Sequence, residues 1–201
     1  MRSTVIFDLG GVLIRWDPRN LYRKLFPGDD AAMEEFLATV CTVEWNECQD
    51  AGRTFAAAEE EAIARHPAKA ELIRAFGARF DEMIPGANDE VVAILDELKR
   101  RGTKLYALTN WSAETFPSAR RRFAFLSWFE GIVVSGHEGL IKPDPALFRR
   151  LFARYAIEPS QAVFIDDDPG NARAAASLGV HGIAFSSAAG LRAELQQLRL
   201  L

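Results

Sequence analysis

The chain has 201 residues, 49% of them hydrophobic, which is enough to bury a core and fits one domain with an insertion better than two independent domains. Its formal net charge of −4 argues against a nucleic-acid or anionic-membrane surface, since neither attracts an acidic protein without a concentrated basic patch. No stretch approaches the ~18–20 apolar residues of a membrane span, and no basic segment followed by an apolar run and a cleavage site opens the chain, so a cytoplasmic protein is expected.

The first element is VIFDLGGVL at residues 5–13. Val5, Ile6 and Phe7 suit a buried parallel strand, and Asp8 ends it. The glycines Gly10 and Gly11 let the backbone turn close to whatever binds there, at the strand edge where open α/β sheets place ligands. Taken alone, D-x-G is a weak motif that serves a turn cap equally well.

Between this strand and residue 87 the sequence predicts helices and no strand. Met33, Phe36, Leu37 and Val40 repeat at helical spacing, as do Leu72, Ile73, Phe76, Phe80 and Met83, and Pro18, Pro27, Gly28, Gly52, Pro67, Pro85 and Gly86 punctuate them. The stretch from Ala56 to Ala64 reads as an exposed helix. Cys41 and Cys48, seven apart, fit neither C-x-x-C nor a disulfide framework and are expected to be free, packed thiols. His66, His137 and His181 are scattered and carry no zinc spacing.

From residue 104 onward apolar runs alternate with helical patterns: KLYAL (104–108), GIVVS (131–135), AVFID (162–166) and HGIAF (181–185). That alternation predicts βαβ units and a parallel sheet. Helix starts are signalled by Asn88, Ser112, Asp144-Pro145 and Asp168-Pro169, and helix ends by Gly102 and Gly179. Arg120, Arg121 and Arg122 point to different sides of one helix and read as a solvated face. The expected architecture is α/β: a doubly wound Rossmann-like parallel sheet, residues 1–15 and 88–201, with an α-helical cap, residues 16–87, inserted after the first strand.

Parallel strands put their carboxyl ends on one edge, so Asp8, Thr109, Asn110, Lys142 and the triplet Asp166, Asp167, Asp168 can converge although they are far apart in sequence. In this order and on these strands, FDLGGV, LTN, KPDP and FIDDDPGN resemble the four motifs of the haloacid dehalogenase superfamily of hydrolases, over nearly the whole chain, and the helical insertion lies where the C1-type cap of its subfamily IA belongs. The resemblance implies that Asp8 is the nucleophile, forming an aspartyl-phosphate, with Mg²⁺ held by Asp8, by Asp167 and by the Gly10 backbone carbonyl. Asp166 would be either a further ligand or the partner that holds one, and Asp168 the cap of the following helix. Thr109 and Asn110 would hold the transferring phosphoryl group and Lys142 would supply fixed positive charge. The implied partner is a small phosphorylated metabolite, for a monomer or a homodimer.

One departure stands out. The commonest phosphatases of the superfamily read D-x-D, and the second aspartate protonates the leaving alcohol and later activates water; here that position is Gly10. Proton transfer of this kind is worth ~10²–10⁴ in rate. Three functions stay open. The first is a Mg²⁺-dependent phosphatase acting on leaving groups that need little protonation, such as sugar 1-phosphates, similar to glucose-1-phosphate phosphatases. The second is a 2-haloacid dehalogenase, although those enzymes read D-x-Y-G-T and lack the acidic pair Asp166-Asp167. The third is a non-catalytic member that binds a phosphometabolite or a partner protein. Specificity is expected from the cap, with Trp45, Asn46, Glu47 and Asp50 on a loop and Trp16, Asp17 and Trp111 at the pocket mouth.

Overall fold

The protein is described here by a computed structural model covering residues 2–201. In chain order its elements are β1 (Thr4–Phe7), β2 (Ile14–Arg15), α1 (Arg19–Leu25), α2 (Asp30–Thr39), α3 (Val43–Asp50), α4 (Phe55–Arg65), α5 (Ala70–Ala78), β3 (Gly86–Ala87) and α6 (Asp89–Arg100). There follow β4 (Lys104–Thr109), α7 (Phe116–Arg122), β5 (Gly131–Val134), α8 (Ser135–Glu138), α9 (Pro145–Tyr155), β6 (Ala162–Asp166), α10 (Pro169–Ser177), β7 (His181–Ala184) and α11 (Ala188–Gln197). Five strands form one parallel sheet in the order β5-β4-β1-β6-β7. The chain therefore winds outward from β1 on one side and then on the other, as the alternation of strands and helices predicts.

Both faces of the sheet are buried, and this is why its strands are apolar nearly throughout. Alternate residues serve opposite faces. Val5, Phe7, Leu105, Ala107, Val163 and Ile165 pack with Ile94 and Leu98 of α6 and Leu191 and Leu195 of α11. Ile6, Tyr106, Leu108 and Phe164 pack on the other side with Leu147, Phe148 and Leu151 of α9. Asp144 and Asp168 cap their helices as expected, accepting from the Ala146 and Gly170 N–H groups, and Gly102 and Gly179 take the left-handed backbone just past α6 and α10. Asn88 and Ser112 differ: Asn88 makes no side-chain cap, and Ser112 accepts from Glu114 N–H four residues before α7 begins.

The helical segment is built around a chain of rings. Tyr22 lies 5.0 Å from Phe36 and Trp45 meets Phe76 edge-on at 5.1 Å. It is entered and left through an antiparallel ribbon that the sequence reading missed, β2 paired with β3 in the register Ile14↔Ala87 and Arg15↔Gly86. Strands of two residues are too short to show a period, so no sequence signal marks them. Arg122 reinforces the return by donating to the Ile84 carbonyl at 2.8 Å, which makes it more than part of a solvated face. The stripe from Leu72 to Met83 is not one helix: α5 stops at Ala78 and a 3₁₀ turn carries Phe80 and Met83 into the same core. The helix over Ala56–Ala64 is half buried, because Ala58 and Ala62 pack inward, and Cys48 is exposed while Cys41 is buried. Among the described residues no helix is long and apolar enough to cross a membrane.

Candidate active site

Asp8 sits one residue beyond β1, the central strand, at the carboxyl edge of the sheet. Its Oδ1 accepts from Leu9 N–H at 2.7 Å and pairs with Lys142 Nζ at 2.8 Å, whereas Oδ2 makes no hydrogen bond among the described residues. Lys142 is buried and reaches Asp166 Oδ2 with its other contact, at 2.7 Å. Asp166 is saturated on its second oxygen as well, which accepts from Asp168 N–H at 2.9 Å and from Asn171 Nδ2 at 3.0 Å. Asn171 belongs to the motif FIDDDPGN, yet its part in anchoring Asp166 five residues away was not read from the sequence.

One carboxylate oxygen from each of Asp8, Asp166 and Asp167 lies within 4.8 Å of the others. Three acids around one lysine leave a surplus of negative charge, and the ionisation of these groups reflects it. Burial, with the lysine opposing and the other acids reinforcing, pushes Asp8 up to about 7. Burial and then Asp166 raise Asp167 as well. Burial works against the Lys142 ammonium, but Asp8 and Asp166 outweigh it and its pKa rises above the ordinary lysine value.

The two glycines after Asp8 have different reasons. Gly11 has a left-handed backbone (φ +73°), and a Cβ there would lie 2.1 Å from Asp167 Oδ2, so the bare glycine makes room for that carboxylate beside the β1 loop. Gly10 has no such constraint: a Cβ at this position meets nothing within 4 Å. The opposite results expected are that Gly11→Ala displaces Asp167 and loses most turnover, while Gly10→Ala folds with an unchanged melting temperature. Thermal melts and phosphate-release assays on the two variants check both.

Asn110 donates from Nδ2 to the Lys142 carbonyl at 3.1 Å and accepts Lys142 N–H on Oδ1 at 2.8 Å, so its amide is engaged in fixing the loop that carries the lysine. Thr109 ends β4 fully buried, with Oγ1 unpartnered among the described residues. The polar cluster expected on a loop proves to be the helix α3. From it Asn46, Glu47 and Asp50 face a cavity of about 310 Å³ that Asp8, Gly10 and Asp167 also line. Trp16 and Trp111 reach the same cavity. Trp45 and Asp17 do not: Trp45 is drawn into the apolar interior of the helical segment, and Asp17 turns to accept from Arg19 N–H at the start of α1.

The fold is a doubly wound α/β sheet whose carboxyl edge gathers three carboxylates around a buried lysine beside a cavity. A family model for haloacid dehalogenase-like hydrolases matches residues 3–179, and the chain belongs to that family. The sesquiterpene phosphatase astK of Aspergillus oryzae is 26% identical over 203 residues, covering 98% of this chain and 96% of its own length. Acyl-CoA dehydrogenase family member 10 of Mus musculus is 28% identical over 199 residues, but the chain spans only 17% of that relative. Among solved structures, the HAD family enzyme bt-2542 of Bacteroides thetaiotaomicron, a complex with magnesium and inorganic phosphate, superposes with a TM-score of 0.68 at 22% identity, covering 92% of this chain and 95% of that one.

Proposed function

We propose that the protein is a Mg²⁺-dependent phosphatase that hydrolyses a small phosphorylated metabolite through an aspartyl-phosphate on Asp8. The observation that carries this is the state of Asp8 itself: one oxygen is pinned by Leu9 N–H and Lys142, and the other is left unpartnered at the floor of a cavity. A carboxylate held in this way can attack in line without reorganising. Thr109 Oγ1, buried and unpartnered, offers a donor to the transferring phosphoryl oxygens, and Lys142 supplies the charge they meet. Asn110 positions that lysine.

The acidic surplus fits a hard divalent cation with oxygen ligands. Asp8, Asp167 and the Gly10 carbonyl would hold it, since Asp166 already spends both oxygens on Lys142, Asn171 and Asp168 N–H. When bound, Mg²⁺ offsets the negative charge that otherwise repels a phosphate dianion. A 2-haloacid dehalogenase is less well served, because halide departure makes no use of the open Asp167 carboxylate. Residues 16–87, bounded by the β2–β3 ribbon, act as the cap over the reaction.

Sugar phosphates belong to this class, but a second observation favours a leaving group with an apolar part. A neighbouring cavity of about 290 Å³ shares Trp16, Val43 and Asn46 with the first and runs on between Leu37, Cys41 and Phe76. Val43, 67% exposed, stands on the wall common to both. The relative named as a sesquiterpene phosphatase agrees with such a substrate. The test is a panel of sugar monophosphates, prenyl monophosphates and 2-haloacids, assayed with Mg²⁺ and after exhaustive chelation. Phosphate release that stops on chelation and returns with Mg²⁺ is expected, fastest on the prenyl esters; full-rate hydrolysis without metal, or turnover of haloacids alone, would overturn the proposal.

A further inference from the structure

Among the described residues, Asp8, Asp50 and Asp166 are buried aspartates. Two of them share Lys142. The third, Asp50, makes no ion pair among the described residues and has no part in the chemistry so far. It occupies the last turn of α3, where it faces the cavity from the cap while Asp8 and Gly10 face it from the sheet. Its Oδ2 accepts from Asn46 Nδ2 at 3.0 Å, one helical turn back. Two residues on, Gly52 takes a left-handed backbone (φ +100°), and a Cβ there would come 3.1 Å from the Gly136 carbonyl of α8. The end of α3 is thus seated directly on the sheet domain, and Asp50 is held with respect to Asp8. The space above Gly10 is open, since a Cβ at that position meets nothing within 4 Å.

We propose that Asp50 is the acid and base for which position 10 has no side chain, acting from the cap instead of from the β1 loop. The inference rests on the phosphatase reading. In the first step Asp8 Oδ2 bonds to phosphorus as the bond from phosphorus to the leaving oxygen breaks, and the Asp50 carboxyl gives its proton to that oxygen, which departs as the alcohol. In the second step water attacks the same phosphorus, its proton passes to the Asp50 carboxylate, and the bond from phosphorus to Asp8 breaks to release phosphate. Both groups return to their starting states.

The surroundings of Asp50 suit a group that must both give and take a proton near neutrality. Burial is the main influence and Glu47 on its own helix adds to it, opposed by the Ser112 main chain and Lys142, with Asp8 adding slightly; the result is a carboxyl pushed up to about 7. Glu47 also lines the cavity but is exposed.

The test compares Asp50→Asn with wild type on 4-nitrophenyl phosphate and n-butyl phosphate, both with saturating Mg²⁺. For the butyl ester kcat/KM should fall ~10²–10³-fold, and for the nitrophenyl ester, whose leaving group needs no proton, less than about 5-fold. With the nitrophenyl ester kcat should fall more than kcat/KM, with a burst of one nitrophenol per enzyme, because water attack has lost its base. Folding is not at risk. A carboxyl whose folded pKa is raised stabilises fully below its unfolded value, and that contribution is lost as pH rises through about 7, so the neutral amide should raise Tm at pH 8 and leave it nearly unchanged at pH 4. Equal losses on the two esters, or no loss on the butyl ester, would overturn the role. A wild type inert towards every phosphate ester, by contrast, would overturn the phosphatase reading and this role with it.

Discussion

Asp8→Asn should abolish turnover, with phosphate release at least ~10⁴-fold below wild type, because an amide oxygen is too poor a nucleophile to displace an alkoxide from phosphorus. The fold should survive. The amide oxygen still accepts Leu9 N–H, and Lys142 keeps its contact with Asp166 at 2.7 Å. Acid quench after mixing with labelled substrate should trap a phosphorylated protein from wild type and none from the variant. A variant that hydrolyses at near wild-type rate while its thermal melt is unchanged would remove Asp8 from the chemistry.

Lys142→Met should cost both activity and stability. The lysine is 3% exposed and lies between two buried carboxylates, so replacing it by an uncharged side chain of similar length leaves both without their cation. Breaking a buried ion cluster by removing one member is worth roughly 3–5 kcal/mol, much more than any exposed pair. The penalty should depend on pH in a definite direction. Without the lysine, Asp8 loses the main influence that holds its pKa down, so low pH, which protonates it, should narrow the gap between variant and wild type, and alkaline pH should widen it. Urea melts at pH 5 and pH 8 without metal measure this, and added Mg²⁺ should recover part of the loss by restoring positive charge. On the role proposed for Lys142, as a fixed charge that meets the phosphoryl oxygens, turnover should fall by about 10²–10³ even where the variant is folded. Equal stability of the two proteins at pH 8 would show that the cluster does not need its lysine.

Much of this could be read from the residues alone, and the reason is period. Val5 to Phe7, Leu105 to Leu108 and Ala162 to Ile165 are apolar without interruption because each strand is covered on both faces. Each polar residue that follows such a run therefore marks a strand end, and parallel strands bring their ends to one edge. By that logic Asp8, Thr109, Asp166 and Asp167 belong to one edge of the sheet. Lys142 follows β5 only after α8 and a loop, and it joins the others through its place in the ordered set of motifs.

What the sequence determined by itself, then, is the order of strands and helices, the polar residue that ends each strand, and the absence of an acid at position 10. Only the tertiary structure decided which of these groups are spent on one another. Asn110 belongs to Lys142 and Asp166 is shared among Lys142, Asn171 and the main chain of Asp168, and these partnerships span gaps in the chain that no local pattern encodes. It also decided which glycine is required: Gly11, whose neighbour Asp167 lies 156 positions later (167 − 11) just past β6, and not Gly10. And it brought Asp50 to face Asp8. On α3 that residue is one acid among Glu44 and Glu47 at ordinary helical spacing, and it differs from them in being buried, at the end of the helix that Gly52 brings against α8.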